Sequence, residues 1–188
     1  KIWSSTDGTS WTHVHTPTNA IAGGITYGNN LHYDGTNWWY CNRDCIDMSS
    51  DGGTTWTNKE DLTPTTYSFV DTIHSDGNGR VYFGGFGFNY TDDNGASFNN
   101  TFPMLYFMFT HYTIGGNTGM TVRSITTATQ NSVDYVVALG HEGNYNMLRG
   151  QGMGGMLAYS TNNAVSWVKV GGSGTLSFGG NPLGYGFS

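Results

Sequence analysis

Residues 49–56 read Ser-Ser-Asp-Gly-Gly-Thr-Thr-Trp, and three further segments of the chain resemble them. These segments are residues 5–11, 91–98 and 160–167. In each, a hydroxyl residue precedes an Asp or Asn, turn residues follow, and an aromatic residue closes the segment. An Asp or Asn side chain accepts hydrogen bonds from backbone N–H groups two or three residues ahead, and glycine supplies the positive φ that such turns need. Each segment is therefore predicted to be the corner of a β-hairpin.

A second repeated pattern surrounds these corners. Residues 25–33 resemble residues 73–83, and both suggest two strands joined by a Gly/Asn turn. Residues 124–139 form a third copy with a longer turn, and residues 175–185 form a fourth copy that lacks a corner. Each unit is therefore predicted to contain four strands, two before a connecting loop and two joined by the corner.

The spacing of the corners predicts the fold class. Asp7 and Asp51 are 44 residues apart, Asp51 and Asp93 are 42 apart, and Asp93 and Asn162 are 69 apart, so the last interval holds an insertion. A period of roughly 40–50 residues with four strands per unit is typical of β-propeller blades. We expect an all-β, single-domain propeller of four-stranded antiparallel blades that spans residues 1–188.

Four blades are predicted, and the last would be shared between the two ends of the chain. The expected boundaries are approximately residues 22–58, 67–101, 118–170, and 173–188 together with 1–16. Pairing of the N- and C-terminal strands would close the ring and remove exposed sheet edges. The shared blade is shorter than the others, so either it is trimmed or the ring is larger than four blades.

The corners resemble the Asp-box, or BNR, repeats of sialidases, sortilin-type receptors, xyloglucan-degrading enzymes and many bacteriophage and bacterial surface proteins. The consensus of that family is Ser-x-Asp-x-Gly-x-Thr-Trp, and the copy at Asp51 matches every position. The first copy is one residue short, and the last has Asn162 and Ala164 in place of Asp and Gly. The resemblance implies a propeller whose corners are structural. Their expected structural residues are Asp7, Trp11, Asp51, Trp56, Asp93, Phe98, Asn162 and Trp167.

Composition excludes some classes of partner. Charged residues are only 11% of the chain, the net charge is −6, and the seven Lys and Arg residues form no basic stripe, so we expect no nucleic-acid partner. The longest apolar stretch, residues 102–109, is far shorter than the roughly 20 residues of a membrane helix. We therefore expect no membrane insertion.

In a propeller of this kind, the face opposite the corners carries the loops in which ligand sites usually lie. The long loop that begins at His141 is the strongest candidate, because it combines Glu142, one of only two Glu residues, with Tyr and Arg side chains. The alternative is a Gly-rich insertion that packs on a neighbouring segment. The candidate ligand-binding residues are Arg43, Asp44, His141, Glu142, Tyr145 and Arg149, with Trp38, Trp39 and Tyr112 as stacking surfaces.

Three functions are compatible with these residues. The first is a non-catalytic propeller on an extracellular or virion surface, such as a phage tail, that binds a glycan or a partner protein for adhesion. The second is a sialidase-like or other Asp-box glycoside hydrolase, or a fragment of one, with Glu142 and Asp44 as acid and base. The third is a purely architectural subunit of an assembly.

No cofactor is expected, although Ca²⁺ is conceivable near residues 92–94 or 76–78, because hard cations prefer oxygen ligands. His13 and His15 have a spacing compatible with zinc, but an exposed strand face also explains them. Cys41 and Cys45 flank a three-residue loop. They are expected to form either a cross-strand disulfide or two buried thiols.

The apolar segment of residues 102–109 is too hydrophobic for a solvated connection. Part of it is expected to form the outer strand of a blade. The remainder would either pack within the insertion or contact other chains of an assembly. The candidate interface residues are Phe102, Met104, Phe107, Met108, Met147 and Met153.

Overall fold

The structure is a computed structural model that describes residues 1–17, 30–42, 45–61, 70–85, 87–102, 119–143 and 154–170. Within these ranges the chain forms fourteen strands and no helix. The strands form four antiparallel sheets, one of two strands and three of four strands. The protein is therefore all-β.

We number the sheets I to IV in chain order. Sheet I contains β1 (Ile2–Ser4) and β2 (Thr12–His15). Sheet II contains β3 (Asn30–Tyr33), β4 (Trp38–Cys41), β5 (Cys45–Ser49) and β6 (Thr57–Asp61). Sheet III contains β7 (Val70–Ser75), β8 (Val81–Gly85), β9 (Gly87–Thr91) and β10 (Asn99–Phe102). Sheet IV contains β11 (Gly119–Gln130), β12 (Val133–Gly143), β13 (Gly154–Ser160) and β14 (Val168–Lys169).

Three of the four predicted four-stranded units are seen, as sheets II, III and IV. In sheets II, III and IV, each strand pairs with the next strand in the chain, so each sheet is a simple meander. The Asp-type corners join the third and fourth strands of these sheets, and the first corner joins β1 to β2. The predicted pairing between the two ends of the chain lies outside the described residues, because the structure describes nothing after residue 170.

The first hairpin of sheet II differs from its prediction. A turn within residues 25–33 was expected, but β3 pairs with β4 across a turn at residues 34–37. The turn forms there because the Asp34 carboxylate accepts the backbone N–H groups of Thr36 and Asn37, at 2.8 and 2.7 Å. Asp76 caps the equivalent turn of sheet III. The true repeat therefore aligns Asp34-Gly35 with Asp76-Gly77.

The first hairpin of sheet IV also differs from its prediction. In place of a longer turn, β11 and β12 are joined by the two residues Asn131 and Ser132. Both have a positive φ, 52° and 62°, as a tight hairpin turn with matching twist requires. The additional residues lengthen the strands, which have 12 and 11 residues.

Sheets II and III pack face to face through one hydrophobic cluster. Sheet II contributes Trp39, Cys41, Ile46 and Met48. Sheet III contributes Val70, Val81 and Phe83, with the partly buried Ile73 and Phe98 against them. The rings of Trp39 and Phe83 meet edge to face with centroids 5.6 Å apart, a favoured aromatic geometry.

The other face of sheet III packs against sheet IV. Its aromatic side chains are Tyr82, Phe88 and Tyr90, and they meet small and branched residues of sheet IV such as Val122, Val136 and Ala138. Sheet III is therefore covered on both faces, because successive side chains of a strand point to opposite sides.

Two kinds of contact recur between successive sheets. A histidine Nε2 on the first strand of one sheet lies 2.9–3.0 Å from a hydroxyl on the first strand of the next, in the pairs His32–Ser75 and His74–Thr127. A side chain of the first turn donates to the next corner, in the pairs Asn37–Asn94 and Arg80–Asn163. The contacts between sheets II and III are thus repeated between sheets III and IV.

Candidate functional site

The corner at Asp51 is held by its own side chains. The Ser49 hydroxyl donates to the Asp51 carboxylate at 2.8 Å and accepts the N–H of Gly53 at 2.9 Å. The Thr55 hydroxyl and N–H both donate to the same carboxylate, the hydroxyl at 2.6 Å. Trp56 then donates its indole N–H to the Gly53 carbonyl at 3.0 Å. The consensus residues of the repeat therefore account for the closure of the turn.

The same bonding repeats in the other two corners of full length. Residues 91, 93, 95 and 97 and residues 160, 162, 164 and 166 reproduce the network of residues 49, 51, 53 and 55. Asn162 replaces the second carboxylate oxygen with an amide that donates to the Ser166 hydroxyl at 2.8 Å. Ala164 adopts φ 66°, where the other corners have glycine. The degenerate fourth copy is thus a genuine corner.

Hydrogen bonding keeps the corner carboxylates ionised. The hydroxyl and N–H of Thr55 lower the pKa of Asp51 from 3.8 to about 2, and Ser97 lowers that of Asp93 to about 2 in the same way. In the short first corner, the N–H groups of Ser10 and Thr9 hold the pKa of Asp7 well below its usual value. These carboxylates accept hydrogen bonds within their own turns.

A cleft of about 190 Å³ lies between sheets III and IV, at the end of the sheets that carries their first turns. Sheet III supplies Asp76, Asn78 and Tyr82. Sheet IV supplies the tip of the β11–β12 hairpin, residues 127–129 and 134–136. The strand register pairs Thr127 with Val136 and Thr129 with Asp134, so these four side chains share one face of the hairpin.

The polar groups of the cleft are positioned by their own sheets. One carboxylate oxygen of Asp76, Oδ1, accepts the N–H groups of Asn78 and Arg80 at 2.7 and 3.1 Å. One oxygen of Asp134, also Oδ1, accepts the hydroxyl of Thr129 at 2.6 Å. Each carboxylate therefore has a fixed orientation and a second oxygen, Oδ2, that can accept a further bond.

Tyr82 forms the floor of the cleft and is 1% exposed. Burial, followed by the charge of Asp76, raises the pKa of its hydroxyl to about 12, so the phenol is neutral. The Arg80 guanidinium lies 4.3 Å from the centre of the Tyr90 ring and forms an ion pair with Asp92 at 2.8 Å. Its charge and its hydrogen bond to Tyr82 oppose the rise in the pKa of that phenol, but burial has the larger effect.

Most of the ligand residues predicted from the sequence cannot be compared with the structure. Arg43, Asp44, Tyr112, Tyr145 and Arg149 lie outside the described residues. His141 and Glu142 lie in β12, paired with residues 121 and 120 of β11, but their side chains are not described. The loop-face site therefore stays a prediction.

The two tryptophans of that prediction lie elsewhere. They begin β4, directly after the turn at residues 34–37, whereas the loop of residues 42–44 is at the opposite end of the strand. Trp39 is fully buried and donates its indole N–H to Asp34 at 2.6 Å, so its ring offers no stacking surface. Trp38 is half-buried beside Tyr33, with ring centroids 5.0 Å apart.

Cys41 and Cys45 are buried thiols and do not form a disulfide in this structure. The sulfur of Cys41 lies 3.8 Å from the carbonyl oxygen of Val70, and that of Cys45 lies 3.7 Å from an oxygen of Asp47. The thiol alternative of the sequence analysis is the arrangement seen here.

The buried carboxylate of Asp47 fixes sheet I to sheet II. It lies 2.8 Å from Nε2 of His15 and accepts the amide of Asn58 at 3.1 Å. The His15 ring also stacks on Trp56, with ring centroids 5.3 Å apart. His15 therefore holds the β1–β2 hairpin in place.

Within the described ranges, no group of three or more His, Cys, Asp or Glu side chains could hold a metal ion. His13 and His15 diverge, because Nε2 of His13 contacts the hydroxyl of Thr16 at 2.9 Å whereas His15 reaches Asp47. At the two positions considered for Ca²⁺, the carboxylates of Asp76 and Asp93 accept bonds from their own turns. A Ca²⁺ site stays a prediction.

The predicted interface segment is also largely outside the described residues. Phe102 ends β10, the outer strand of sheet III, but its side chain is not described. Met104, Phe107, Met108, Met147 and Met153 lie outside the described ranges. A search of the described part of the chain for a helix long and apolar enough to cross a membrane found none.

Sequence reasoning missed the cleft because residues 76–78 were considered only as a turn or a Ca²⁺ position, and Asp134 only as part of a strand. Asp76 and Asp134 follow or precede tight turns, which is where Asp is common without any ligand. A usable signal was the repeat of Asp-Gly at residues 34–35 and 76–77, which would have placed the first turns of sheets II and III at the same end.

No protein-family model matches the chain, and no curated protein matches it at a significant level. Arguments about function therefore depend on the geometry of the described residues.

Proposed function

We propose that the chain is a β-propeller of four blades. Sheets II, III and IV would be three blades, and residues 173–188 would pair with sheet I to complete the fourth. Two observations support this arrangement. The contacts between sheets II and III repeat between sheets III and IV, and the first strand β7 adjoins both β3 and β11, as neighbouring inner strands of a propeller do.

We further propose that this propeller is a non-catalytic binding module that recognises a glycan on an extracellular or virion surface. The cleft between sheets III and IV carries this proposal. Sugars are bound by a few polar groups beside an aromatic surface, and the cleft combines Asp76, Asn78 and Asp134 with the partly exposed Tyr135. The predicted loop residues around Glu142 lie at the opposite end of β12 and would form a separate site.

The described carboxylates of the cleft support hydrogen bonding to a ligand, and hydrolysis is kept as the alternative function. Asp76 and Asp134 each accept bonds from a neighbouring turn or strand through Oδ1, which orients them for hydrogen bonding. The acid–base pair of the enzyme alternative, Glu142 and Asp44, gains no support from the described side chains. A glycan array combined with a hydrolysis assay on the bound glycans separates the two functions.

The test of the cleft is a nuclear magnetic resonance titration of the full chain with the glycans that the array selects. We expect shifts of the amide signals of Asn78, Thr129 and Asp134. Asp134→Asn should weaken binding at least fivefold, whereas Glu60→Gln, which removes an exposed carboxylate from β6, should have no effect. Glycan binding without a change in these signals would show that the cleft is not the binding site. Turnover of the glycan would contradict the non-catalytic function.

A further inference from the structure

Asparagine followed by glycine occurs twice in the chain, at Asn78-Gly79 and at Asn94-Gly95. Such a pair is chemically labile, because glycine has no side chain to hinder an attack by its own backbone nitrogen on the asparagine amide. Both pairs lie in turns of sheet III, the first between β7 and β8 and the second in the corner between β9 and β10. The same sheet therefore holds one reactive dipeptide in two different settings.

The corner protects Asn94. The backbone N–H of Gly95, whose nitrogen would make the attack, donates to the hydroxyl of the fully buried Thr91 at 2.9 Å. The side-chain oxygen of Asn94 accepts the amide of Asn37 from sheet II at 3.2 Å, which holds the group that would be attacked. A reaction at Asn94 would therefore require the corner to open first.

The first turn of sheet III leaves Asn78 open to the same attack. Asn78 and Gly79 are both exposed, and a Cβ atom added to Gly79 would meet nothing within 4 Å. The turn is closed by Asp76, whose carboxylate accepts the N–H groups of Asn78 and Arg80. In the described ranges, neither the side chain of Asn78 nor the N–H of Gly79 takes part in a hydrogen bond.

We propose that Asn78 is a site of spontaneous deamidation and that the fold protects Asn94 from it. The Gly79 nitrogen forms a bond to Cγ of Asn78, the bond from Cγ to the amide nitrogen breaks, and the proton of the Gly79 nitrogen leaves with the amide as ammonia. Water then opens the resulting succinimide at either carbonyl and gives aspartate or isoaspartate. Water is the only co-reactant, and the inference does not rest on the proposed glycan binding.

The reaction changes the contact between sheets III and IV. Asn78 lines the cleft together with Asp76 and Asp134, so its conversion adds a third carboxylate there. Isoaspartate also lengthens the backbone of the turn that positions Arg80. The guanidinium of Arg80 donates to the carbonyl of Asn163 in the corner of sheet IV at 2.6 Å. We therefore expect the modified chain to be less stable than the unmodified chain.

Peptide mapping of the full chain after incubation at pH 9 tests the site. Trypsin cleaves after Lys59, Arg80 and Arg123, so Asn78 and Asn94 fall in separate peptides, and a digest made before incubation gives the background. In the folded chain we expect conversion at Asn78 to be at least tenfold faster than at Asn94, because only Asn94 requires local opening. In guanidinium chloride the two rates should agree within about threefold, because the protection is lost on unfolding. Equal rates in the folded chain, or a faster reaction at Asn94, would overturn the proposal.

Two variants test the consequence for stability. Asn78→Gln keeps an amide but needs a larger ring for the same attack, so its urea midpoint should stay constant during incubation while that of the unsubstituted chain falls. Asn94→Gln is the matched control and should lose stability during incubation as the unsubstituted chain does, each sample being compared with its own unincubated form. A fall in the midpoint of Asn78→Gln as large as that of the unsubstituted chain would overturn the link between this site and the packing of the sheets.

Discussion

At the scale of single residues, the corners show how four separated residues close one turn. In the corner at Asp51, a hydroxyl, a carboxylate, a glycine and a second hydroxyl form one connected set of hydrogen bonds. Asp93 repeats the arrangement, and Asn162 reproduces it with an amide. The repeat is therefore preserved by its hydrogen-bonding geometry even where the residue type changes.

The lowered pKa values of these carboxylates predict a loss of stability in acid. Asp51 and Asp93 have a folded-state pKa of about 2, against 3.8 for the isolated group, so the unfolded chain binds protons first as the pH falls. Their contribution is complete above about pH 4 and should be lost between about pH 4 and pH 2. Urea unfolding across this range should show a falling midpoint.

The variant Asp51→Asn tests the assignment. It keeps one acceptor oxygen and a donor, as Asn162 does, but it cannot titrate. We expect a smaller dependence of the urea midpoint on pH below pH 4 than in the unsubstituted chain. An unchanged dependence would show that the acid sensitivity comes from other carboxylates.

At the scale of elements, the packing of sheet III on sheet IV depends on one glycine. A Cβ atom at Gly84 of β8 would lie 2.6 Å from Cγ1 of Val122 on β11 and 2.9 Å from Cγ2 of Thr72. Val122 is fully buried, so it has little room to move away. The close approach of these strands therefore requires a residue without a side chain at this position.

Gly84→Ala should lower the free energy of unfolding by about 1–3 kcal/mol, as overpacking of a core usually does. Val122→Ala alone should cost about 2 kcal/mol through the cavity that it leaves. Because the new methyl group would occupy part of that cavity, the double variant should be more stable than the sum of the two changes predicts. Strictly additive losses in urea unfolding would show that Gly84 and Val122 do not pack together.

The histidines of the first strands predict a second pH dependence, near neutrality. His32 and His74 lie with ring centroids 6.2 Å apart. Burial lowers the pKa of both from 6.5, and the neighbouring His32 lowers that of His74 further. The unfolded chain therefore gains protons first, so stability should be constant above about pH 7 and decline as the pH falls below 6.5.

This decline should be visible as a lower urea midpoint at pH 5.5 than at pH 8. In His74→Asn the decline should be smaller, because one of the two buried imidazoles no longer titrates. His13→Asn changes an exposed histidine and serves as the matched control. If both substitutions changed the pH dependence of the urea midpoint equally, His32 and His74 would not be its cause.

The sequence predicted these elements unevenly, for physical reasons. The corners were predictable because their bonds are local, within seven residues of the chain. The turn at Asp34 was misplaced because Gly and Asn residues at 28–30 form an equally plausible turn signal. The cleft was missed because it needs Asp76 and Asp134 from two sheets to meet, and no local pattern encodes that distance.

At the scale of the whole molecule, sheets II and III make the same kinds of contact with each other as sheets III and IV do. In both pairs of sheets, the first strand of one sheet adjoins the first strand of the next, and the first turn of one sheet contacts the corner of the next. Sheet I contacts sheet II through His15 and Asp47. If each sheet is rotated relative to the preceding sheet about a common axis, sheet I lies beside sheet IV and the four sheets form a closed ring.

Distances between spin labels on equivalent corner positions test this closure most directly. Thr6, Ser50 and Thr161 are exposed residues that each follow the hydroxyl of a corner, in sheets I, II and IV. Pairs of cysteines introduced there can be labelled selectively, because the sulfur-bearing side chains of Cys41 and Cys45 are fully buried. The chain with only these two native cysteines is the labelling control.

A four-blade ring predicts that the distance from residue 6 to residue 161 is close to that from 6 to 50, and that both are shorter than the distance from 50 to 161. Sheets stacked in a row, about 10 Å apart, predict instead that the distance from 6 to 161 is the longest of the three. The first order of distances is the result that a closed propeller requires. The second order would contradict it.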